Sequence, residues 1–231
     1  MSVHDFWNPF AFEPFINALI IGITLAGIWL VAALGLVIIY GTMRVINMAH
    51  GEFIMLGAYS TLVLQTSIDL PWLLCLPVSF VIVAAIGWDV ERTIIRHLYA
   101  RPLDTLVATF GLSLILIQGV RLIFGGAPQY VEIPAALKGV LQIGFVYVPW
   151  LRIFILGIAI VMLVGTWAIL NRSTVGIKIR AVMQSPETAA AFGINSQAIY
   201  GFTFALGCGL AGLAGAMFSG LKTVFPDVGL G

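Results

Sequence analysis

Long apolar runs separated by short polar ones set the pattern of this chain. Six can be followed, at about Phe15 to Tyr40, Phe53 to Gln65, Pro71 to Trp88, Asp104 to Phe124, Pro149 to Leu170 and Ala198 to Leu221. A helical crossing of a bilayer needs roughly 20 predominantly apolar residues. The pattern therefore predicts an all-α, polytopic transmembrane bundle of about six spans. The second run is the exception, being short of a full crossing.

A polar island, Arg44-Val-Ile-Asn47-Met-Ala-His50-Gly51-Glu52, precedes that short run. Starting the second helix near Asn47 restores its length and draws His50 and Glu52 toward the bilayer. Ionisable groups at that depth are expensive and mark pathways or partners. Non-helical backbone at Gly41 or Gly51 is tolerated there only where it is buried in protein or lines a wet cavity. The expectation is a broken or re-entrant element near residues 41–52, with Asn47, His50 and Glu52 beside a translocation pathway or its gate. The alternative is a cytoplasmic turn whose polar groups cap two helices.

Composition agrees with the spans. Hydrophobic residues make up 61% of the chain and charged ones 9%, with mean hydropathy +1.07, against about 25% charged in a soluble domain. Such a chain cannot cover itself with polar side chains, so its exterior faces lipid. The net charge of +1 leaves no electrostatic footprint for nucleic acid. Cys75 and Cys208 lie within apolar runs and suggest neither a disulfide framework nor a metal cluster. The N-terminal tail has no Lys or Arg before its first apolar run, unlike the basic start of a signal peptide.

Basic residues set the orientation. Arg44, Arg92, Arg96, Arg101, Arg172, Lys178 and Arg180 fall on one face, and Arg121, Lys138, Arg152 and Lys222 on the other. The richer face is expected to be cytoplasmic, which places the N-terminus outside. The longest external connection, residues 125–148, ends in an alternating stretch that forms a short hairpin or lies at the interface. It is either a plain linker or a docking surface.

Within the spans, small residues recur at four-residue spacing in the sixth run. Cys208, Gly212, Ala216 and Gly220 form one stripe, and Ala211, Gly215 and Ser219 another. This spacing predicts close helix packing. In the fourth run Gln118 is expected to hydrogen-bond across helices or to face the pathway, and Asp104 reads as a helix N-cap.

Catalysis finds no support. His50-x-Glu52 matches half of a zinc deaminase signature but lacks its P-C-x-x-C partner, and no nucleophile lies near it. No metal site or catalytic residue is expected. The phosphate-cradling pattern G-x-x-x-x-G-K-[ST] is also absent, so no cofactor is assigned to this chain.

The most informative polar segment is residues 171–197. Ser185-Pro186-Glu187 is a helix start, with Ser as N-cap, Pro at the first position and an acid near the positive end of the dipole. Gly193 ends the helix as a C′ glycine, and Ala189, Ala190 and Ala191 give it a slim surface. So short a helix is marginal in water, so it lies on its own membrane domain or forms against another protein.

Glu187-x-Ala189-Ala190-x-x-Gly193 resembles the EAA loop of ABC importer permeases, whose short helix inserts into a cleft on an ATPase subunit. GTMRVINMAHGEFIMLGAY (41–59) resembles the branched-chain amino acid and urea permease family. RHLYARPLDTLVATFGLSLIL (96–116) and RAVMQSPETAAAFGI (180–194) are most similar to its urea-type branch, and LGCGLAGLAG (206–215) fits the helix after the coupling loop. The resemblance implies one transmembrane permease domain over residues 1–231, with residues 171–197 as the cytoplasmic coupling loop. It further implies a bacterial inner membrane, a second permease subunit, ATP-binding subunits that hold ATP and Mg, and an extracytoplasmic solute-binding protein. The solute would be small and polar, urea or a short amide ahead of a branched-chain amino acid, moved by alternating access. Family members continue past Pro226-Asp-Val-Gly-Leu-Gly231 with further helices, so the chain is expected to be incomplete at its C-terminus. A secondary transporter or channel, or an inactive fragment, remain the alternatives.

Overall fold

Lipid offers no partner for backbone N–H and C=O groups, so apolar runs satisfy them internally as helices. The computed structural model describes residues 9–99, 101–143 and 146–226. Its helices are α1 (Pro9–Met43), α2 (His50–Ile68), α3 (Trp72–Thr93), α4 (Pro102–Phe124), α5 (Trp150–Arg172), α6 (Thr174–Gln184), α7 (Pro186–Ala191) and α8 (Ser196–Ser219). Residues Pro14–Met43 of α1, together with α3, α4, α5 and α8, are long and apolar enough to cross a membrane. The sixth long helix, α2, has 19 residues and is more polar.

The bundle is built around α8. Of its most apolar stretch 78% is buried, against 33% or less in the other four membrane-length helices. Helices α1, α2 and α3 surround it, and α5 lies outside α1. The glycines of α8 let these neighbours come close. A Cβ on Gly207 would sit 2.6 Å from the Gly35 carbonyl oxygen of α1, and one on Gly212 would sit 2.5 Å from Cβ of Val83 on α3. Gly57 of α2 meets the backbone of Gly212, and Gly215 meets the backbone at Ile54 and Ala58. Gly220 lies under the ring of Trp72, and Ala216 is fully buried. Dispersion between near-touching backbones supplies the attraction here, because lipid tails are as apolar as the side chains. Cys75 and Cys208 are free thiols buried in this packing.

The end of α2 follows from local chemistry. Asp69 takes a left-handed conformation (φ 53°), and the N–H of Leu70 bonds the Leu64 carbonyl at 3.2 Å. Pro71 then prevents continuation. At this end β1 (Val140–Ile143) and β2 (Val146–Pro149) pair antiparallel, so the alternating stretch forms a hairpin; residues 144 and 145 lie outside the described residues. The connection is strapped down by Gln65, whose side chain bonds the backbone N–H and C=O of Glu132 at 2.9 and 2.7 Å. Gln129 and Val224 form a further bridge, with both bonds at 2.8 Å.

One expectation requires correction. Asp104 is not the N-cap of α4; that position is Arg101, and Asp104 sits in the first turn, 3.6 Å from the Arg101 guanidinium. Both groups are mostly exposed, so the pair adds little. The polar segment after α5 holds an additional helix, α6, begun by Ser173 Oγ accepting from the Gly176 N–H at 3.1 Å. It buries Gly176, Ile179 and Val182 on one face.

Gly57→Val would drive branched methyls into the Gly212 backbone. The expected cost is about 1–3 kcal/mol or more, seen as a lower Tm and loss of the monodisperse peak in detergent.

Candidate functional site

Helix α1 ends at Met43, and α2 begins only at His50. Between them Val45, Asn47 and Ala49 are buried while Arg44, Ile46 and Met48 are exposed. Residues 44–47 are irregular, and Met48 and Ala49 turn into α2, the His50 N–H bonding the Asn47 carbonyl at 3.3 Å. The turn into this segment is made by Arg44 at φ 54°, a left-handed conformation that costs a non-glycine residue roughly 1–2 kcal/mol. The expected break is therefore present, but it falls at Arg44, and neither Gly41 nor Gly51 makes it. The missing length of the second run is supplied by this irregular segment and turn, since α2 starts at His50 and not near Asn47.

This segment runs into the bundle. The ring of His50 bonds through Nε2 to the Ala32 carbonyl at 2.9 Å, and Ala32 lies eleven residues before the end of α1, roughly 16 Å along a helix. Backbone here needs partners that lipid cannot give, and α4 provides them. Thr109 Oγ1 accepts from the Met48 N–H at 3.1 Å, and its own hydrogen is shared between the Leu106 carbonyl at 3.1 Å and the Ile46 carbonyl at 3.4 Å. Four residues on, Ser113 Oγ donates to Glu52 Oε1 at 2.7 Å. Thr105, four residues earlier, donates to the Leu98 carbonyl at 3.0 Å. All three hydroxyls are buried. Helix α4 thus meets its neighbours through a hydroxyl stripe, Thr105-Thr109-Ser113. The spacing was open to inspection in the sequence, as three hydroxyls on one face of an apolar helix.

The island is buried but incompletely paired. Glu52 is 1% exposed, Asn47 4% and His50 8%. Asn47 Oδ1 accepts from the Ala49 N–H at 3.1 Å. Asn47 Nδ2, His50 Nδ1 and Glu52 Oε2 have no hydrogen-bond partner among the described residues. Each such group costs about 1–3 kcal/mol. A neutral ring donating from Nε2 presents Nδ1 as an acceptor, so the set offers one donor and two acceptors. It can hydrogen-bond a polar solute, and the hydroxyl beside it, Ser113 Oγ, is engaged in donating to Glu52. Gln118 does not join this group. It is exposed, five residues beyond Ser113 on α4, and makes no bond across helices among the described residues.

Just before the start of α8 lies α7. Ser185 caps it, its Oγ accepting from the Thr188 N–H at 3.2 Å. Pro186 opens it, Glu187 lies in its first turn, and Gly193 follows it at φ 79°. Its faces differ. Ala189 is buried, so it packs on the protein's own side, while Glu187, Ala190, Ala191 and Phe192 are exposed. Phe192 is 82% exposed, and it was overlooked because a lone aromatic beside a glycine carries no periodic signal.

Comparison with known proteins identifies relatives. The chain is 27% identical over 231 residues to the high-affinity branched-chain amino acid transport system permease protein BraD of Pseudomonas aeruginosa, covering 94% of this chain and 74% of that protein. It is 27% identical to LivH of Escherichia coli, a permease protein of the same kind, covering 88% and 70%. A probable branched-chain amino acid transport permease protein LivH of Methanocaldococcus jannaschii is 30% identical, covering 85% and 64%. No solved structure matches the chain. Membrane-length helices and relatives of this kind make it a multi-pass inner-membrane protein. A family model described as branched-chain amino acid transport system, permease component, matches residues 18–231, and the chain belongs to that family.

Proposed function

We propose that this chain is the membrane-spanning subunit of an ATP-driven importer, and that α7 is where its engine attaches. The observation that carries this is the exposed tip of α7. A capped helix of 6 residues leaves two alanines and a phenylalanine exposed, in the polar segment that also carries Arg172, Lys178 and Arg180. Burying an exposed phenylalanine is worth about 1.5–3 kcal/mol, and the slim alanine face admits it to a cleft. In this proposal the polar segment is cytoplasmic and the N-terminus external. ATP and Mg belong to ATP-binding subunits seated on α7. A second permease subunit completes the pathway, and an extracytoplasmic binding protein delivers the solute.

The route passes Asn47, His50 and Glu52, whose unpaired donor and acceptors suit a small polar solute. Alternating access would expose them to one side and then the other. The relatives described above carry branched-chain amino acid names, so they favour such a solute over the urea or short amide that two sequence blocks resemble. Uptake of labelled leucine and labelled urea by the complete system in proteoliposomes decides between them. Uptake without ATP would instead indicate a secondary transporter or channel.

Ala190→Trp is expected to lower co-purification of the ATP-binding subunit at least tenfold, about 1.4 kcal/mol, with membrane insertion unchanged. Undiminished co-purification would remove α7 from the coupling role. Glu52→Ala is expected to cut uptake roughly tenfold, the scale of one lost charge-assisted hydrogen bond, while the assembled complex is recovered in normal yield. Normal uptake by that variant would reduce the island to a structural turn.

A further inference from the structure

Glu91 has no part in the transport route just described, yet it sits in an expensive place. It lies in the last turn of α3, where the negative end of the helix dipole disfavours a carboxylate, and it is fully buried. Arg96 approaches it, Nη2 to Oε2 at 3.3 Å and Nε to Oε1 at 3.5 Å. The hydroxyl of Tyr99 also donates to Oε1. Burial first, and then the bond to Glu91, push the Tyr99 phenol well above its usual range, so it remains a donor.

The other side of this cluster is α8. The rings of Tyr99 and Tyr200 meet edge to face with centroids 4.9 Å apart. Gly201 leaves room for the carboxylate, because a Cβ there would lie 2.9 Å from Oε2. The first turns of α8 are therefore joined to the 3₁₀ turn Ile95–Leu98 that links α3 to α4. The connection continues in both directions. Ser196, at the start of α8, donates to the Pro186 carbonyl at 3.2 Å, and the Ile194 N–H bonds the Ala189 carbonyl at 3.0 Å, which ties α8 to α7. At the far side the Leu98 carbonyl accepts from Thr105 in the first turn of α4.

We propose that Glu91, Arg96, Tyr99 and Tyr200 form a transmission joint that carries displacement of α7 through the start of α8 into α4, with Glu91 as the positioning residue at its centre. This rests on the reading of α7 as the docking element. A buried ion pair is poor value as a staple, since apolar residues of similar volume often hold a fold as well or better. The two roles separate in experiment. Losing a staple lowers stability, whereas losing a joint lowers the solute moved per ATP hydrolysed.

The test uses the complete complex in proteoliposomes, with the wild type, Glu91→Gln, Tyr99→Phe and the double variant. Co-purification of the ATP-binding subunit, Tm, ATP hydrolysis and uptake are all measured. Glu91→Gln keeps the shape and an acceptor without the charge. Tyr99→Phe removes one oxygen and reports even where Glu91→Gln fails to assemble. The expected result is unchanged co-purification and Tm, with uptake per ATP falling roughly tenfold in each single variant and no further in the double one, as for residues acting as one unit. Unchanged uptake per ATP in Tyr99→Phe overturns the joint. So do losses that multiply in the double variant, or a fall in Tm with the ratio intact. If the wild type fails to hold the ATP-binding subunit, the docking role of α7 falls and the joint falls with it, and co-purification alone reveals that outcome.

Discussion

The whole architecture depends on how closely three helices approach the axis of α8. In lipid no water is released when apolar surfaces meet, so side chains that hold backbones apart gain nothing over lipid tails. Gly207, Gly212 and Gly215 remove that separation, and the backbones of α1 and α2 come against them while Val83 of α3 fills the remaining hollow. Once α2 is fixed in this way, its first residues are fixed too. His50 meets Ala32, Glu52 faces Ser113, and the segment from Arg44 reaches them with Val45, Asn47 and Ala49 buried against the bundle. A glycine stripe thus decides where a polar island lies.

Gly212 and Gly215 were legible in the sequence, because four-residue spacing of small residues is a property of one helix alone, whereas Gly207 lies outside both four-residue stripes. The caps of α7 were legible for the same reason, since Ser185, Pro186 and Gly193 act on their own neighbours. The break between α1 and α2 was legible in outline only. Its position depends on Thr109, which stands far along the chain and supplies a bond to Met48 and a shared one to Ile46 in place of helical ones. Local sequence favours the glycines at 41 and 51 as breakers, and a distant hydroxyl overrides it. Helix α6 was concealed by its polarity, its buried face being only Gly176, Ile179 and Val182. Gln118 failed as a cross-helix partner because the face of α4 that meets protein carries Thr105, Thr109 and Ser113, and Gln118 does not lie on it.

The two ends of the molecule are held differently. At one end, Gln65 and the bridge between Gln129 and Val224 clamp the long connection by backbone bonds to its main chain. At the other end, α7 rests on a single buried alanine and leaves Phe192 exposed. The first is a closed structure. The second is an open one, which is why the proposed docking falls there.

The hydroxyl stripe of α4 carries a dynamic consequence. Apolar packing weakens gradually as two helices slide, but hydrogen bonds fail over a few tenths of an ångström. A small tilt of α4 would strip partners from Met48 and Glu52 together. Half-way positions are therefore higher in energy than either a fully docked helix or one moved far enough to admit water. Such a contact behaves as a snap fastener, and it divides the motion of α4 into two discrete states.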